Sequence, residues 1–197
     1  MPVIDCQSLS DQELVEESLK NSEIFRCIVE LYEVRLRKYI FRQTGFSRSE
    51  VEDVLQESFI AIYRNLNSFD QNLKLQNWIY RIVHNKAVDC MRKRTTLNRA
   101  KDALMGGEAD LESFMEALSS ANAETQVHTQ EELKWLVDKI NDLPEESRAV
   151  MVLRFWEEKD YEEISDILKI PVGSVGSLIN RSRKWLLKEL KGRRSER

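Results

Sequence analysis

The chain has 197 residues, 32% of them charged and 8% aromatic, with a formal net charge of −4 at pH 7. That length suits one domain or two small ones of roughly 80 residues each, and the composition suits a soluble, helical protein with modest cores. A negative total by itself argues against a polyanion ligand, and no apolar run approaches the roughly 20 residues that span a bilayer.

The total conceals a division. Lys74–Lys101 carries eight basic residues against one acidic, and Ser174–Arg197 eight against two, while Asp102–Leu133 carries none against eight. Where a polyanion docks is decided by that segregation rather than by the sum. The opening residues MPVIDCQSLSDQE have neither a basic flank nor an apolar core, so no secretion signal is read there. Cys6, Cys27 and Cys90 are odd in number, far apart and without a C-x-x-C pair. This predicts reduced thiols in a cytosol rather than a disulfide frame.

Helical periodicity runs through almost the whole chain, and no strand alternation stands out. Ser10 with Glu13 forms a capping-box pattern that opens a helix, whose core stripe is Phe25, Ile28, Tyr32, Leu36 and Ile40 and which Gly45 breaks. Ser47 with Glu50 repeats the pattern. The helix after it carries Val51, Val54, Leu55, Phe59, Ile62, Tyr63 and Leu66 at i, i+3, i+4 spacing. Ser68–Asn72 is a polar loop, and a third helix is predicted from Leu75 to Arg94, burying Ile79, Ile82, Val83 and Cys90. From Thr95 to Gln130 periodicity weakens around the Gly106–Gly107 pair, with a short helix at Leu111–Leu118. Order resumes at Leu133, Leu136, Val137 and Ile140, and Pro144 precedes a helix over Ser147–Trp156.

The last quarter, Asp160–Leu186, reads as a helix–turn–helix. Asp160 and Glu163 cap a first helix that buries Ile164, Ile167 and Leu168. Ile170-Pro171-Val172-Gly173 makes the turn, with Gly173 at the corner and Ser174 as N-cap of the second helix. On that helix Val175, Ile179, Ser182 and Leu186 face inward, and Ser177, Asn180, Arg181, Lys184 and Lys188 outward. Early residues of such a helix reach base edges in a major groove, and later cations find phosphates. The basic Arg193–Arg197 tail adds sequence-independent attraction. Trp185 is read as a packing anchor. The fold class is therefore all-α: two small helical domains, over 10–95 and 131–192, joined by a flexible acidic linker over 96–130.

Two blocks carry a family resemblance. VEDVLQESFIAIYRNLNSFDQNLKLQNWIYRIVHNKAVDCMRKR, Val51–Arg94, resembles the second conserved region of the sigma-70 initiation factors of bacterial RNA polymerase. LPEESRAVMVLRFWEEKDYEEISDILKIPVGSVGSLINRSRKWLLKEL, Leu143–Leu190, resembles their fourth region. Their order and spacing are those of the compact extracytoplasmic-function (ECF) group. The resemblance implies a protein that binds core polymerase, recognises the −10 and −35 promoter elements and helps to melt the duplex. Its implied partners are promoter DNA and core polymerase, through the coiled coil of the largest subunit and the flap; an anti-sigma partner commonly holds family members inactive. Neither cofactor nor metal is implied.

On the helix Val51–Leu66, Asp53, Gln56, Glu57 and Ile60 share one face opposite the buried stripe. The resemblance makes this face the polymerase-docking surface. For the −10 element it implies the loop residues Phe69 and Asn72, with Asn77, Arg81, Asn85, Lys86, Arg92, Lys93 and Arg94 on the third helix. Loop amides and an aromatic ring suit an unstacked base, whose extrusion costs a few kcal/mol. Trp78 is read as core. For the −35 element it implies Ser174, Gly176, Ser177, Asn180, Arg181, Arg183 and Lys184. Here the chain departs from the family pattern, since Gly176 and Leu178 stand where cations are usual, and a glycine costs roughly 1 kcal/mol of helix propensity. The tether resembles the family's linker towards the RNA exit path; an inert linker reads equally well.

A different class fits part of the pattern: a stand-alone helix–turn–helix regulator that binds duplex DNA. Such a regulator has no need of the Asp53/Gln56/Glu57 face or of a melting surface on Lys74–Lys101. An enzyme finds no support, because His84 and His128 are isolated and neither a phosphate-cradling glycine loop nor a nucleophile constellation is present.

Overall fold

The computed structural model describes residues 6, 8–99, 135 and 138–195, with side chains for all of these except 95–99 and 193–195. Residues 100–130 of the expected tether, its short helix at 111–118, His128, and Leu133, Leu136 and Val137 lie outside the described residues, as do the side chains of Arg193–Arg197; residues 96–99, expected in the tether, continue the helix that starts at Leu75. Among the described residues every regular element is helical. They divide into two compact units.

The first unit is built from α1 (Asp11–Lys20), α2 (Phe25–Thr44), α3 (Arg48–Asn65), a 3-10 turn at Leu66–Ser68 and α4 (Leu75–Arg99). The predicted capping boxes start α1 and α3: the Ser10 and Ser47 hydroxyls accept from the amides of Glu13 and Glu50, whose carboxylates accept the cap amides in return. Where one long helix was expected from Ser10 to Gly45, there are two. Asn21 leaves the helical conformation and its side-chain oxygen accepts from the Glu23 amide. Asparagine competes with the helix for backbone partners in this way, and the apolar periodicity across it does not reveal the break. Gly45, at φ 65°, follows the end of α2.

Ile28, Leu36, Tyr39 and Ile40 of α2 are fully buried, as are Ile62 of α3 and Ile79, Tyr80, Val83 and Ala87 of α4. The expected α3 stripe holds at Val51, Val54, Leu55, Ile62 and Leu66, but Phe59 is half-buried and Tyr63 is 48% exposed and packs edge-on against Phe25 at 5.0 Å. Ile82 and Cys90 are half-buried rather than core. Helices α3 and α4 pack antiparallel, as two ion pairs record: Glu50 with Arg94 at 3.1 Å and Glu57 with Lys86 at 3.9 Å.

The expectation of three reduced thiols is overturned. Cys6 and Cys27 form a disulfide and Cys90 is free. The pair is invisible in sequence, because the bond depends on the fold laying the segment before α1 against the buried first turn of α2.

The second unit contains a helical stretch over 138–141, α5 (Glu145–Phe155), α6 (Tyr161–Leu168) and α7 (Val172–Ser195). Helix α5 starts two residues earlier than expected, directly after Pro144, which needs no amide hydrogen there. It is the central helix, with Ala149, Val150, Met151, Val152 and Leu153 all buried in succession. The Arg148 guanidinium donates to the carbonyls of Asn141 and Leu143, fixing the turn before α5. Asp160 and Glu163 form the expected capping box on α6, whose Ile164 and Ile167 are buried; Leu168 is half-buried.

The corner differs from the sequence reading. Its left-handed residue is Lys169, at φ 56°, rather than Gly173, which lies inside α7. Ser174 is no N-cap: α7 begins at Val172, and the Ser174 amide donates to the Pro171 carbonyl at 2.8 Å. The wheel assigned to α7 holds for Val175, Ile179 and Ser182, which are buried, and for Ser177, Asn180, Arg181, Lys184 and Lys188, which are exposed; Leu186, expected inward, is half-buried. Trp185 is half-buried, its ring 5.9 Å from the Lys139 ammonium, in keeping with an anchor.

Two outcomes check these features. Asp160→Ala removes a cap and should cost about 1 kcal/mol in urea unfolding. Thiol titration of the denatured, air-oxidised protein should count the single sulfhydryl of Cys90, and all three cysteines after reduction; equal counts in the two arms contradict the cross-link.

Candidate nucleic-acid interface

The acidic–amide face on α3 is assembled as its spacing predicts. Asp53, Gln56, Glu57 and Ile60 are all exposed, with Ile60 at 51%, while Val51, Val54, Leu55, Ser58 and Ile62 are buried behind them. The Ser58 hydroxyl donates to the Val54 carbonyl at 2.6 Å, which lets a polar residue sit on the inner side. An exposed isoleucine beside two carboxylates and an amide offers apolar area and polar selectivity together, as a protein interface requires.

The basic face of α4 is only partly as expected. Asn85, Arg92 and Lys93 are exposed, Arg81 and Lys86 are half-buried, and Asn77 is buried at 4% exposure. The correction at Asn77 follows from geometry: steps of four residues overshoot a 3.6-residue turn by about 40° each, so a line through Asn77, Arg81 and Asn85 winds from core to solvent. Arg94 is half-buried, paired with Glu50 and lying 5.2 Å from the Phe46 ring, so part of its charge serves the packing of α3 on α4.

The loop before α4 is also corrected at one position. Phe69 is 8% exposed and belongs to the core; it packs against Trp78 with ring centroids 5.3 Å apart, and Trp78, expected in the core, is half-buried over it. Asp70, Gln71 and Asn72 are exposed. The Asp70 carboxylate accepts from both the backbone and the side-chain amide of Asn72, at 3.0 and 2.8 Å, so the Asn72 carboxamide is held in one orientation.

His84 sits among these residues and is not isolated as its sequence surroundings suggest. Its Nδ1 is 2.9 Å from the Tyr39 hydroxyl, and Tyr39 stacks edge-on against Tyr80. Nothing in a chain separation of 45 residues could signal that pair. Burial, with a smaller contribution from the Arg92 charge, pushes the imidazole down to about 4.

On the second unit, Ser177, Asn180, Arg181, Arg183 and Lys184 are exposed, whereas Ser174 and Gly176 are half-buried. The Ser177 hydroxyl donates to the Gly173 carbonyl at 2.9 Å, turning it back onto its own helix. A Cβ built on Gly176 would lie 3.5 Å from Cε2 of Tyr161, which is ordinary van der Waals contact. The Arg154 guanidinium lies 5.6 Å from the centroid of that same ring. Among the described residues no group of three His, Cys, Asp or Glu side chains is arranged to hold a metal ion, and no helix is long and apolar enough to cross a membrane.

A polar docking face, a basic helix and a helix–turn–helix with an outward basic side define a transcription-initiation class of protein, and comparison with known proteins agrees. Residues 28–96 match the family model for sigma-70 region 2, and residues 133–186 that for sigma-70 region 4. The chain is 34% identical over 172 residues to the ECF RNA polymerase sigma factor SigW of Bacillus subtilis, covering 87% of this chain and 91% of that one. It is 33% identical over 182 residues to the ECF RNA polymerase sigma-E factor of Escherichia coli, covering 90% and 93%. The fold is shared with CnrH in its complex with the cytosolic domain of CnrY, at TM-score 0.67, 22% identity and 92% and 97% coverage. It is likewise shared with the sigma factor RpoE of Bartonella quintana in complex with the anti-sigma factor NepR, at TM-score 0.65, 20% identity and 85% and 96% coverage. The chain belongs to the sigma-70 family, in its ECF group.

The His84 geometry makes a pH prediction. The unfolded chain takes the proton near the ordinary value of 6.5, whereas the folded state resists it down to about 4. Stability is therefore full above the unfolded value and falls as the pH drops between the two, by about 2 kcal/mol from pH 7 to pH 5. Urea midpoints at the two pH values read this directly. His84→Gln should flatten the dependence, and parallel slopes for the two proteins would break the assignment.

Proposed function

We propose that this ECF sigma factor docks on core RNA polymerase through Asp53, Gln56, Glu57 and Ile60, and reads promoter DNA with two separate basic surfaces. It directs transcription initiation. The observation that carries the residue assignment is the segregation within one unit: α3 turns carboxylates and an amide outward, while α4 turns Asn85, Arg92 and Lys93 outward. Like charges on one face would repel either the polymerase or the DNA; on separate faces each finds its own partner.

In this reading the −10 element meets the loop around Asn72 and the exposed part of α4, with Arg81 and Lys86 at its margin. Phe69 and Asn77 act from behind, as packing that fixes the loop and the helix. The −35 element meets α7 through Ser177, Asn180, Arg181, Arg183 and Lys184, with Ser174 and Gly176 setting how closely the backbone approaches. The work is recognition and duplex opening, without covalent chemistry, metal or cofactor. The site of action is the cytoplasm, where polymerase and promoter are found. An anti-sigma partner is the third expected ligand, since the sigma factor RpoE of Bartonella quintana, which shares the fold, was solved with the anti-sigma factor NepR bound. A stand-alone regulator would account for the second unit but leave the exposed α3 face without a purpose.

Run-off transcription from a promoter library, with purified core enzyme alone and with this protein added, tests the reading. Alanine at Asp53, Gln56 and Glu57 together should abolish binding to core polymerase while leaving the helical content unchanged; unaltered affinity would remove the assignment. Arg181→Ala should weaken use of the upstream element more than Lys191→Ala, since Arg181 lies nearer the groove-facing start of α7.

A further inference from the structure

The loop at 69–74 leads from the buried Phe69 into α4, and α4 starts differently from α1, α3 and α6. The first amides of a helix have no partner inside it, and an oxygen-bearing side chain at the cap position normally supplies one. Ser10, Ser47 and Asp160 do so for those three helices. At α4 the cap position belongs to Lys74, whose carbonyl accepts from the Trp78 amide at 3.2 Å. A lysine side chain has donors only, so it cannot serve.

The missing acceptor comes from another helix. The Leu75 amide donates to Oδ2 of Asp11 at 3.3 Å, across 64 positions of chain. Asp11 is the first residue of α1, and Glu16 on the same helix accepts from the Gln71 carboxamide at 3.5 Å. Helix α1 is itself held firmly. Leu14, Val15 and Ser18 are buried, the Ser10–Glu13 box fixes its start, and the Cys6–Cys27 bond ties the segment ahead of it to α2. Burial, and after it the Asp11 charge, pushes the Tyr32 hydroxyl up to about 12, so the carboxylate is felt on α2 as well as α4. Within the loop, Asp70 orients the Asn72 carboxamide.

We propose that Asp11 is a positioning residue for −10 recognition: it caps α4 from α1 and so holds the loop tip at 70–72 in the shape that captures an unstacked base. Glu16 braces the same loop at Gln71. A loop already ordered in its bound shape binds more tightly because it loses less freedom on binding. That gain goes to the base that fits, and a base that does not fit receives little of it. The brace therefore sets discrimination as well as affinity. This inference rests on the reading of the loop and α4 as the −10 surface. It adds a residue ahead of the stretch 28–96 that matches sigma-70 region 2.

The test uses holoenzyme reconstituted from core polymerase and the full chain. Labelled promoter fragments carry either the −10 sequence that the run-off library selects or single-base changes in it, and the readout is the ratio of the two affinities. Asp11→Ala should lower that ratio roughly threefold to fivefold, the size of a lost cap. Salt dependence and use of the upstream element should stay as in the parent, since no phosphate contact and no α7 residue is touched. Asp11→Asn keeps an acceptor without the charge and should retain the parent ratio. Lys74→Ser installs a local cap, and in that background Asp11→Ala should no longer change the ratio. A general folding defect would weaken binding to all fragments alike and would not be cured at position 74; thermal melts of each variant check this. If the parent separates the fragments while Asp11→Ala keeps its ratio, or Asp11→Asn loses as much as Asp11→Ala, or Lys74→Ser gives no protection, this inference is wrong and the −10 reading stands. If the parent does not separate the fragments, the −10 reading itself fails.

Discussion

The apolar seam between α3 and α4 is the constraint on which the rest depends. Val51, Val54, Leu55 and Ile62 from one helix, and Ile79, Tyr80, Val83 and Ala87 from the other, are all nearly or fully buried. Burying a side chain of this size is worth about 1.5–3 kcal/mol, far more than the exposed ion pairs that cross the same seam. The seam fixes the rotation of both helices about their axes. Once that is set, carboxylates and amides on one helix and cations on the other are committed to separate surfaces. Glu50–Arg94 and Glu57–Lys86 then report the register rather than create it.

The second unit solves a similar problem with fewer residues. Helix α5 is buried nearly all round and acts as the pillar on which α6 and α7 rest. Ile164, Ile167, Val175 and Ile179 close the angle between the last two helices. Burial of Val175, Ile179 and Ser182 keeps Arg181 and its neighbours outward. Small buried hydroxyls such as Ser182 permit close approach of helices without adding bulk.

Much of this was legible before any coordinates. The three capping boxes at Ser10, Ser47 and Asp160, the buried stripe of α3 and the two faces of α7 follow from local spacing, and local spacing is what a sequence displays. The failures have physical causes of their own. Asn21 breaks a helix across which the apolar period continues, so periodicity alone joined two helices. Asn77 lines up with Arg81 and Asn85 in the sequence, but a four-residue step winds in space and carries it into the core. The corner at Lys169 was assigned to a glycine because preference for φ > 0 is a tendency that tertiary contacts can override. The Cys6–Cys27 bond and the Tyr39–His84 contact join residues that only the finished fold makes neighbours. The exposure of Asp53, Gln56, Glu57, Ile60, Arg181 and Lys184 follows from helical spacing, whereas the depth of Phe69 and Ser174 does not, because it is set by the neighbouring element.

Helix α6 is bracketed by two side-chain-bearing residues in the left-handed region, Glu158 at φ 55° and Lys169 at φ 56°. Each such residue costs roughly 1–2 kcal/mol relative to the right-handed alternative, and the cost rises for β-branched side chains. The two bends that orient α6 and α7 are thus closed to valine, isoleucine and threonine, yet open to glycine, asparagine and aspartate. Sequence drift at these joints can relax the fold without redirecting it. Changes that alter surface chemistry at little cost to the fold are channelled onto the outer face of the final helix instead.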